Sequence, residues 1–298
     1  MTSLPIWVVI PTYNRSDDLV ECLQTVMALE GGPYPILIVD NGSTDDTTEK
    51  VKTHFPNCKL IELKENKGAA IAANIGFNYA LNEGAEFILR LDSDTILSPD
   101  FLIHLLNEAK ADSQIGILTG KIFYHTTPTK IWSLGALQKR YTLGAIELAR
   151  NQQDDPRYSY PQDVDFAWAT GMMLTKAVLK ATSGFDPDFF VYYEEADLCL
   201  RAKRLGFRIR SVPTATMWHK IGQSTRSPRV AKNWSRSKMI YFRKHSHGWH
   251  TFFLITYAYF YAIAHALRQT KNGGNRGPFI AAIKGLTAGL IYRINAGT

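Results

Sequence analysis

The last third of this chain has no acidic residue. All 27 Asp and Glu residues lie between Met1 and Leu200 with 16 Lys and Arg, and the other 18 basic residues begin at Arg201. The formal charge is therefore −11 up to Leu200 and +18 after it. Such a division indicates an anionic partner near the C-terminal third. A solvated basic face, an anionic membrane leaflet, a diphosphate substrate and nucleic acid are the alternatives.

Cysteine is also scarce. Cys22, Cys58 and Cys199 form no CxxC pair and cannot make an even disulfide framework, which argues against a disulfide-stapled module or a cysteine-rich zinc fold. The N-terminus runs directly into IWVVI without a basic region or a small-residue cleavage site, so we expect a cytoplasmic location. With 45% hydrophobic and 20% charged residues, the 298-residue chain can bury a core in one large domain or two small ones.

The first half alternates apolar runs with helical patterns. Strands are predicted over residues 6–10, 36–39, 59–63 and 87–91, and helices from a Ser16 cap and over residues 44–54 and 68–82. This repetition predicts a mostly parallel sheet. Polar clusters follow the first, second and fourth strands, and ligands of such sheets bind beyond the carboxyl ends of the strands.

The second half has a different character. Residues 120–165 are rich in Tyr, Thr and Gln, and we expect loops there, followed by helices at 177–183 and 197–205 and a strand at 207–212. Residues 251–264 form an aromatic, apolar run of 14 residues, shorter than the roughly 20 that span a bilayer. This run and residues 278–294 fit helices at a membrane interface, and core helices are the alternative.

Two carboxylates follow the fourth predicted strand. Asp92 and Asp94 are separated by one residue and can share a divalent cation, since Mg²⁺ and Mn²⁺ prefer carboxylate oxygens and bridge to phosphates. Aspartate is also common in turns, which is the structural alternative. His219 is a candidate third ligand through its imidazole, although a structural role is more frequent for a lone histidine.

Two more sets of acidic residues each allow a functional and a structural interpretation. Asp40 closes a predicted strand, where it can accept a hydrogen bond from a base or ribose, or cap the turn that follows. Glu194, Glu195 and Asp197 follow an aromatic stretch, and burial beside rings raises a carboxyl pKa towards that of a general base. The same three residues fit a helix N-terminus, which favours negative charge.

Six ordered segments together resemble a known family. They read VVIPTYNR from Val8, LIVDNGSTDDT from Leu37, NKGAAIAANIG from Asn66, LRLDSDT from Leu89, ATGMMLTKAVL from Ala169 and GFDPDFFVYYEEADLCLRAKRLGF from Gly184. Over about residues 5–225 the chain closely resembles family 2 glycosyltransferases, in particular the rhamnosyltransferase-like branch. The resemblance implies an α/β, Rossmann-like GT-A domain with a mostly parallel sheet in residues 1–225. A basic, aromatic-rich helical region follows in residues 226–298.

The resemblance also implies a reaction. An inverting enzyme would move a sugar from a UDP- or dTDP-linked donor, with rhamnose favoured by the branch, to a hydroxyl of a saccharide or lipid-linked acceptor in cell-surface polysaccharide synthesis. Bound Mn²⁺ or Mg²⁺ would neutralise the diphosphate leaving group. The alternatives are a sugar-phosphate nucleotidyltransferase, whose Gly-rich basic loop is missing from PTYNRS, and an inactive scaffold that binds nucleotide sugars.

Site residues follow from the same motifs. The donor site would contain Pro11, Thr12, Tyr13, Arg15, Asp40, Asn41, Gly42, Lys67, Gly68, Asp92 and Ser93. Asp94 would be the direct metal ligand, with Asp92 and His219 beside it. The family's Glu-Asp pair reads Glu194-Glu195 here, so Glu195 stands at the base position and Glu194 is the alternative. Trp168, Gly171 and Asp197 would border the acceptor.

The basic residues of the C-terminal third predict the location of the protein in the cell. Each basic residue near an anionic leaflet contributes about 1 kcal/mol to attachment, so we expect a peripheral protein at the inner face of the membrane. The sequence has no nucleic-acid-binding module, and we expect no nucleic-acid partner. Donor, acceptor, linkage and oligomeric state stay open, as does the choice between membrane insertion and core packing for residues 249–267.

Overall fold

The computed structural model describes residues 6–220, 227–271 and 277–294, with side chains of the helix before residue 272 described as far as residue 264. The strands are β1 (Ile6–Thr12), β2 (Ile36–Asp40), β3 (Lys59–Glu62), β4 (Phe87–Leu91), β5 (Thr95–Leu97), β6 (Ile115–Tyr124), β7 (Thr127–Ser133), β8 (Ala136–Gln138), β9 (Ala145–Glu147), β10 (Gln162–Val164), β11 (Gly171–Thr175) and β12 (Arg208–His219). The helices are α1 (Ser16–Met27), α2 (Thr47–His54), α3 (Ala69–Asn82), α4 (Phe101–Ala111), α5 (Lys176–Thr182), α6 (Glu194–Arg204), α7 (Pro228–His245), α8 (Gly248–Lys271) and α9 (Gly277–Ile291).

A ten-stranded mixed sheet forms the centre of the molecule. Its main order is β10-β12-β6-β11-β4-β1-β2-β3, with β5 paired to β12 and β7 paired to β6. Strands β1 to β4 are parallel, whereas β11 is antiparallel to both of its neighbours. The mostly parallel sheet flanked by helices is therefore confirmed: six strands run in one direction, and β5, β7, β10 and β11 run in the other.

Strand β1 shows why the sheet is buried on both faces. Alternate side chains point to opposite faces of a strand, so Val8 packs into the hydrophobic cluster that includes α1, while Val9 packs into the cluster on the α3 side. Both side chains are fully buried. Burial of an aliphatic side chain of this size contributes about 1.5 to 3 kcal/mol.

The expectation of loops over residues 120–165 is wrong. Strands β6 to β10 cover much of this segment, and β6 is almost entirely buried. The pattern is obscured because a buried strand holds a polar residue: Lys121 is 4% exposed and pairs with Asp154 at 2.6 Å. Tyr and Thr are also frequent in strands, so their abundance is not a loop signal.

Several predicted boundaries move. Arg15 occupies the N-cap position of α1 without a side-chain capping hydrogen bond, and Ser16 is the first residue of the helix. Helix α6 begins at Glu194, three residues before the predicted start, and its first turn contains three acids. Strand β12 extends to His219, which carries this histidine to the end of the sheet.

The C-terminal helices pack on the segment that precedes α6. Phe189 and Tyr193 share a hydrophobic cluster with α7, α8 and α9. Lys244 pairs with Asp188 at 2.7 Å, and the Ser237 hydroxyl donates to the carbonyl of Val191 at 2.8 Å. Helix α7 is thus joined to the segment leading into α6, and the expected domain boundary at 225/226 lies outside the described residues.

Small residues allow α7 and α9 to approach closely. A Cβ on Gly289 would collide with the carbonyl oxygen of Arg236. The aromatic run forms α8, whose Tyr257 and Tyr261 rings lie near the Lys238 ammonium group of α7. In the part of the chain that the structure describes, no helix combines the length and the apolar character needed to cross a bilayer.

Candidate active site

The polar clusters that follow β1, β2 and β4 lie at one edge of the sheet. β1 is flanked by β2 on one side and β4 on the other, an arrangement in which the two chain connections diverge and leave a crevice. A cleft of about 260 Å³ opens there. Its walls include Pro11, Thr12 and Tyr13 after β1, Asn41, Asn66 and Gly68, Arg90 and Asp92 of the β4 end, Phe190, Val191 and Tyr192, and Arg229, Val230 and Asn233 of α7.

Asp40 ends β2 with one carboxylate oxygen unused. Its Oδ2 accepts a hydrogen bond from the backbone N–H of Ser43 at 3.0 Å. Its Oδ1 is buried and has no hydrogen-bond partner among the described residues. A buried polar atom without a partner is unfavourable. This oxygen is therefore suited to accept a hydrogen bond from a ligand.

Asn41 fixes the loop on the opposite wall. Its Oδ1 accepts the backbone N–H of Lys67 at 2.9 Å, and its Nδ2 donates to the carbonyl of Gly68 at 3.2 Å. Lys67 itself is exposed beside the cleft. The amide side chain thus holds the segment before α3 against the end of β2.

Two glycines are required by close backbone approaches. Gly68 has φ +91°, and a Cβ there would collide with the carbonyl oxygen of Phe190. Gly42 has φ +77°, and its Cβ would lie 2.8 Å from the backbone of Glu65. Both positions therefore shape the cleft through the backbone.

Asp92, Asp94 and His219 come together in space. One ligand atom of each lies within 4.8 Å of the others, and Asp94 Oδ1 is 3.2 Å from His219 Nε2. Pairing of β12 with β5, in which His219 opposes Thr95, brings the histidine to the loop that carries both aspartates. Two carboxylates and an imidazole are a donor set that suits Mn²⁺ or Mg²⁺ completed by phosphate and water oxygens.

Arg90 stabilises the charge of this cluster. It is 4% exposed and pairs with Asp92 at 2.6 Å. Burial opposes ionisation of Asp92, but the positive charges of Arg90 and His219 hold the pKa of this carboxyl below its ordinary value. Ser93, between the two aspartates, is buried.

Glu194 and Glu195 open α6 in a buried position. They are 5% and 6% exposed, and the Oε2 atom of each has no partner among the described residues. Burial raises the pKa of Glu195 to about 7. Burial and the neighbouring charge of Glu195 raise the pKa of Glu194 well above its usual range. The charge of Asp92 acts on both groups, so the pair and the aspartate cluster share one electrostatic environment.

A strained backbone precedes the two glutamates. Tyr192 and Tyr193 both have φ +69°, in the left-handed region that aromatic residues rarely adopt. Such conformations typically cost about 1 to 3 kcal/mol each and cluster at functional sites. This turn connects the cleft wall to α6 and positions Glu194 and Glu195 at the start of the helix.

Trp168 belongs to an aromatic wall beside the aspartate cluster. Its Nε1 donates to Glu147 Oε2 at 3.2 Å, and its ring lies 5.1 Å from that of Trp132. Trp132 in turn contacts the His219 ring edge-on at 5.0 Å. Burial raises the pKa of Glu147, and its negative charge acts on Glu195.

Three expected site residues lie elsewhere. Asp197 is 1% exposed and is held by Arg201 at 2.7 Å and His245 at 2.8 Å, so it joins α6 to α7 and borders no open space for an acceptor. Gly171 is buried within the sheet, where a Cβ would collide with the sulfur of Met217. Arg15 pairs with Asp18 at 3.1 Å and is absent from the cleft lining.

The family assignment rests on a direct match. Residues 7–182, more than half of the chain, match the family model described as glycosyl transferase family 2. The chain belongs to this family. The rhamnosyltransferase-like resemblance agrees with a curated relative, the dTDP-rhamnosyl transferase RfbF of Shigella flexneri, which is 26% identical over 74% of this chain and 70% of its own length.

Longer family members are similar over part of their length. The poly-beta-1,6-N-acetyl-D-glucosamine synthase of Staphylococcus epidermidis is 24% identical over 69% of this chain and 47% of its own length. The chain therefore spans about half the length of this relative.

Solved structures of similar fold confirm the GT-A architecture. The mannosyltransferase PcManGT from Pyrobaculum calidifontis, in complex with GDP-Man and Mn²⁺, is 17% identical with a TM-score of 0.57, covering 95% of this chain and 74% of that one. GalNAc-T7 with UDP, GalNAc and Mn²⁺ is 15% identical with a TM-score of 0.62, covering 88% and 51%. S. aureus TarS 1-349 is 18% identical with a TM-score of 0.55, covering 82% and 66%.

Sequence reasoning missed several residues of this candidate site. Arg229 and Asn233 line the cleft from α7, where one helical turn separates them, but no motif marks them. Glu147 and Trp132 come from the segment expected to be loops. Only a correct strand prediction for β7 and β9 would have placed these two beside Trp168.

Proposed function

We propose that the protein is an inverting glycosyltransferase that uses a UDP- or dTDP-linked sugar and a divalent cation. One observation carries this proposal: the Asp92–Asp94–His219 cluster and the buried Glu194–Glu195 pair meet beside a single cleft at the edge of the sheet. A cation site next to a carboxyl with a raised pKa suits departure of a diphosphate and deprotonation of a hydroxyl.

The nucleotide would lie along the ends of β1 and β2. The unpartnered Oδ1 of Asp40 would accept a hydrogen bond from the base, while Pro11, Thr12 and Tyr13 line its other side. Exposed Arg229, on the first turn of α7, adds a positive charge and a helix N-terminus to the cleft wall. These groups suit the negative diphosphate.

Asp94 and His219 would hold Mn²⁺ or Mg²⁺, with Asp92 facing the ribose and the cation. When bound, the cation supplies electrostatic stabilisation to the diphosphate as its negative charge develops. The ion pair between Arg90 and Asp92 keeps this carboxylate ionised and oriented for that role.

Glu195 would be the general base. Its carboxylate takes the proton of the acceptor hydroxyl as the hydroxyl oxygen bonds to the anomeric carbon from the opposite face. The bond from that carbon to the diphosphate breaks, and the nucleoside diphosphate leaves. Burial and the charge of Glu195 raise the pKa of Glu194, and Glu195 is favoured as the base because it stands at the base position of the family's Glu-Asp pair.

The acceptor would approach along the aromatic wall. Trp168 is hydrogen-bonded to Glu147, whose charge acts on Glu195, and an indole ring with a carboxylate is a common surface for a sugar. Rhamnose is the favoured donor sugar because a dTDP-rhamnosyl transferase is among the relatives. A saccharide or lipid-linked acceptor for cell-surface polysaccharide, reached by a peripheral protein at the inner membrane face, completes the proposal.

Donor turnover tests the proposal. We expect one member of a panel of UDP- and dTDP-sugars to release nucleoside diphosphate in the presence of Mn²⁺ and not with EDTA. Glu195→Gln should reduce the rate by about 10² to 10⁴, and the wild-type rate should rise with pH through about 7 as Glu195 loses its proton.

The matched control is Glu49→Gln, since Glu49 is an exposed acid in the first turn of another helix. It should keep the wild-type rate. Folded protein that binds a nucleotide sugar but never consumes it would contradict catalysis and favour the scaffold alternative.

A further inference from the structure

Helix α8 is apolar on two faces. Its inner face contributes Leu254 and Ala258 to the cluster shared with α7 and α9. Its outer face is also aromatic: Trp249, Phe252 and Phe260 are 78%, 60% and 71% exposed. An ordinary surface helix presents polar residues on the side opposite its core face, so this outer face requires another explanation.

Most of the exposed side chains lie on one side of the helix. Positions 249, 252, 253, 256, 260 and 263 hold Trp, Phe, Phe, Thr, Phe and Ile, and Tyr261 is exposed as well. No Asp, Glu, Lys or Arg occurs between His250 and His265. We call the Trp249–Phe252–Phe260 line the aromatic ridge.

Basic residues extend the aromatic ridge at one end. The β8–β9 hairpin carries exposed Lys139 and Arg140, and the Tyr141 carbonyl is bonded to His250 Nε2 at 2.8 Å. This contact joins the hairpin tip to the first turn of α8. Tyr141 is itself largely exposed, so the tip has the same mixture of aromatic and basic groups as a membrane-interface segment.

Helix α9 lies beside α8. Tyr259 of α8 meets Thr287 of α9 through their hydroxyls at 3.1 Å. The exposed positions of α9 include Ile280, Lys284 and Ile291, which are again apolar and basic. Helices α7, α8 and α9 contain no acidic residue, so no negative charge of these helices would repel an anionic surface.

We propose that the aromatic ridge, the hairpin tip and the outer face of α9 form one surface that docks on an anionic lipid bilayer. The rings would enter the headgroup boundary while the lysines and arginines contact lipid phosphates. The 14-residue apolar run is too short to span, so the helix lies in the plane of the leaflet. This inference rests on the proposed function, because it names the partner that would present a lipid-linked acceptor.

The positive charge of this region favours an anionic bilayer over a second copy of the chain as the partner of the surface. Two copies joined through this surface would bring together two segments of formal charge +18, whereas an anionic leaflet neutralises them. Self-association is therefore an outcome of the test that would contradict the proposal.

The test is co-sedimentation of the full chain with vesicles. Wild-type protein should pellet with phosphatidylcholine vesicles that contain about one third phosphatidylglycerol, and not with pure phosphatidylcholine. Binding should weaken between about 0.1 M and about 0.5 M NaCl. The triple variant Trp249→Ser, Phe252→Ser, Phe260→Ser should bind about tenfold or more weakly, since it loses three rings that enter the interface.

Matched variants control for composition and charge. Tyr160→Ser, Met27→Ser, Leu205→Ser removes three side chains that are 75%, 59% and 56% exposed elsewhere, and it should bind like wild type. Lys139→Glu, Arg140→Glu should weaken binding to anionic vesicles. Lys110→Glu, Lys180→Glu makes the same change in net charge away from the surface and should weaken it less.

Three results would overturn the proposal. The first is equal binding of wild type and the ridge variant, and the second is wild-type binding with no preference for anionic vesicles. The third is a wild-type dimer that the ridge variant converts to a monomer while neither protein binds vesicles. Thermal melting of each variant confirms folding, and because vesicle binding needs neither donor nor acceptor, its failure is separate from failure of the transferase proposal.

Discussion

Glu195 has two opposing properties at the scale of a single residue. Its burial raises the pKa to about 7, which suits a base near neutral pH, but an ionised carboxylate in that position destabilises the fold. Buried acids of this kind are a common way in which active sites reduce stability. Activity and stability should therefore respond in opposite directions to one substitution.

The pH dependence of stability tests this conflict. The folded state retains the Glu195 proton between about pH 4.5 and 7, whereas the unfolded state releases it, so stability falls as the pH rises through that window. Each unit of pKa shift corresponds to about 1.4 kcal/mol. Glu195→Gln removes this loss, and we expect its Tm to exceed that of wild type at pH 8 by about 2 to 4 °C per kcal/mol recovered.

Calorimetry at pH 5 and pH 8 provides the measurement. The difference between Glu195→Gln and wild type should be small at the lower pH and large at the higher one, while Glu49→Gln follows wild type at both. A variant that is less stable than wild type at pH 8 would show that the carboxylate is stabilised by its surroundings.

Single residues with a motif were predictable, and those without one were not. Asp92 and Asp94 follow a recognisable strand, and His219 could be connected to them through the family pattern. Glu147 could not, because its place beside Trp168 depends on the β8–β9 hairpin and on long-range packing. For Asp197 the motif was misleading. It predicted a residue beside the acceptor, but the carboxylate pairs with Arg201 on its own helix and with His245 on a neighbouring helix.

At the scale of elements, the close contact between α7 and α9 depends on glycine. Gly289→Ala adds a methyl group that collides with the Arg236 carbonyl and lies 2.8 Å from Met239 Cβ. We expect a loss of about 1 to 3 kcal/mol, since a rigid backbone oxygen cannot move aside. Gly144→Ala is the matched control, because its new methyl would meet only ordinary contacts at 3.5 Å and beyond.

Urea unfolding measures this difference. A drop in the midpoint for Gly289→Ala with an unchanged slope, and none for Gly144→Ala, is the expected result. Equal midpoints for both variants would mean that α9 adjusts its position freely on α7.

Element boundaries show what periodicity can and cannot reveal. The helix α3 and strands β1, β2 and β4 were predicted within two residues because their apolar patterns are uninterrupted. Strand β6 was missed because Thr119 and Lys121 are buried in it, and Lys121 is compensated by Asp154 from a distant segment. That compensation is a tertiary contact and leaves no local signal.

At the scale of the whole molecule, the acidic and the basic parts of the chain both contribute to the candidate site. The acidic first 200 residues contain Asp92, Asp94 and Glu195, while the basic remainder contains His219, helix α7, which lines the cleft, and the aromatic ridge on α8. Asp188 and Asp197 join the two parts through Lys244 and His245. An acceptor held at the proposed docking surface would lie on the same body as the catalytic groups.

The central claim is that Asp94 and His219 hold a cation that binds a nucleoside diphosphate. Calorimetric titration of UDP, dTDP and GDP, first with Mn²⁺ and then with EDTA, tests it most directly. One nucleotide should bind with Mn²⁺, and either EDTA or Asp94→Asn should weaken its binding about tenfold or more. Asp17→Asn, at a carboxylate that is 92% exposed, should leave it unchanged. Binding that is equal with and without metal and in Asp94→Asn, or no binding of any nucleotide to folded protein, would contradict the claim.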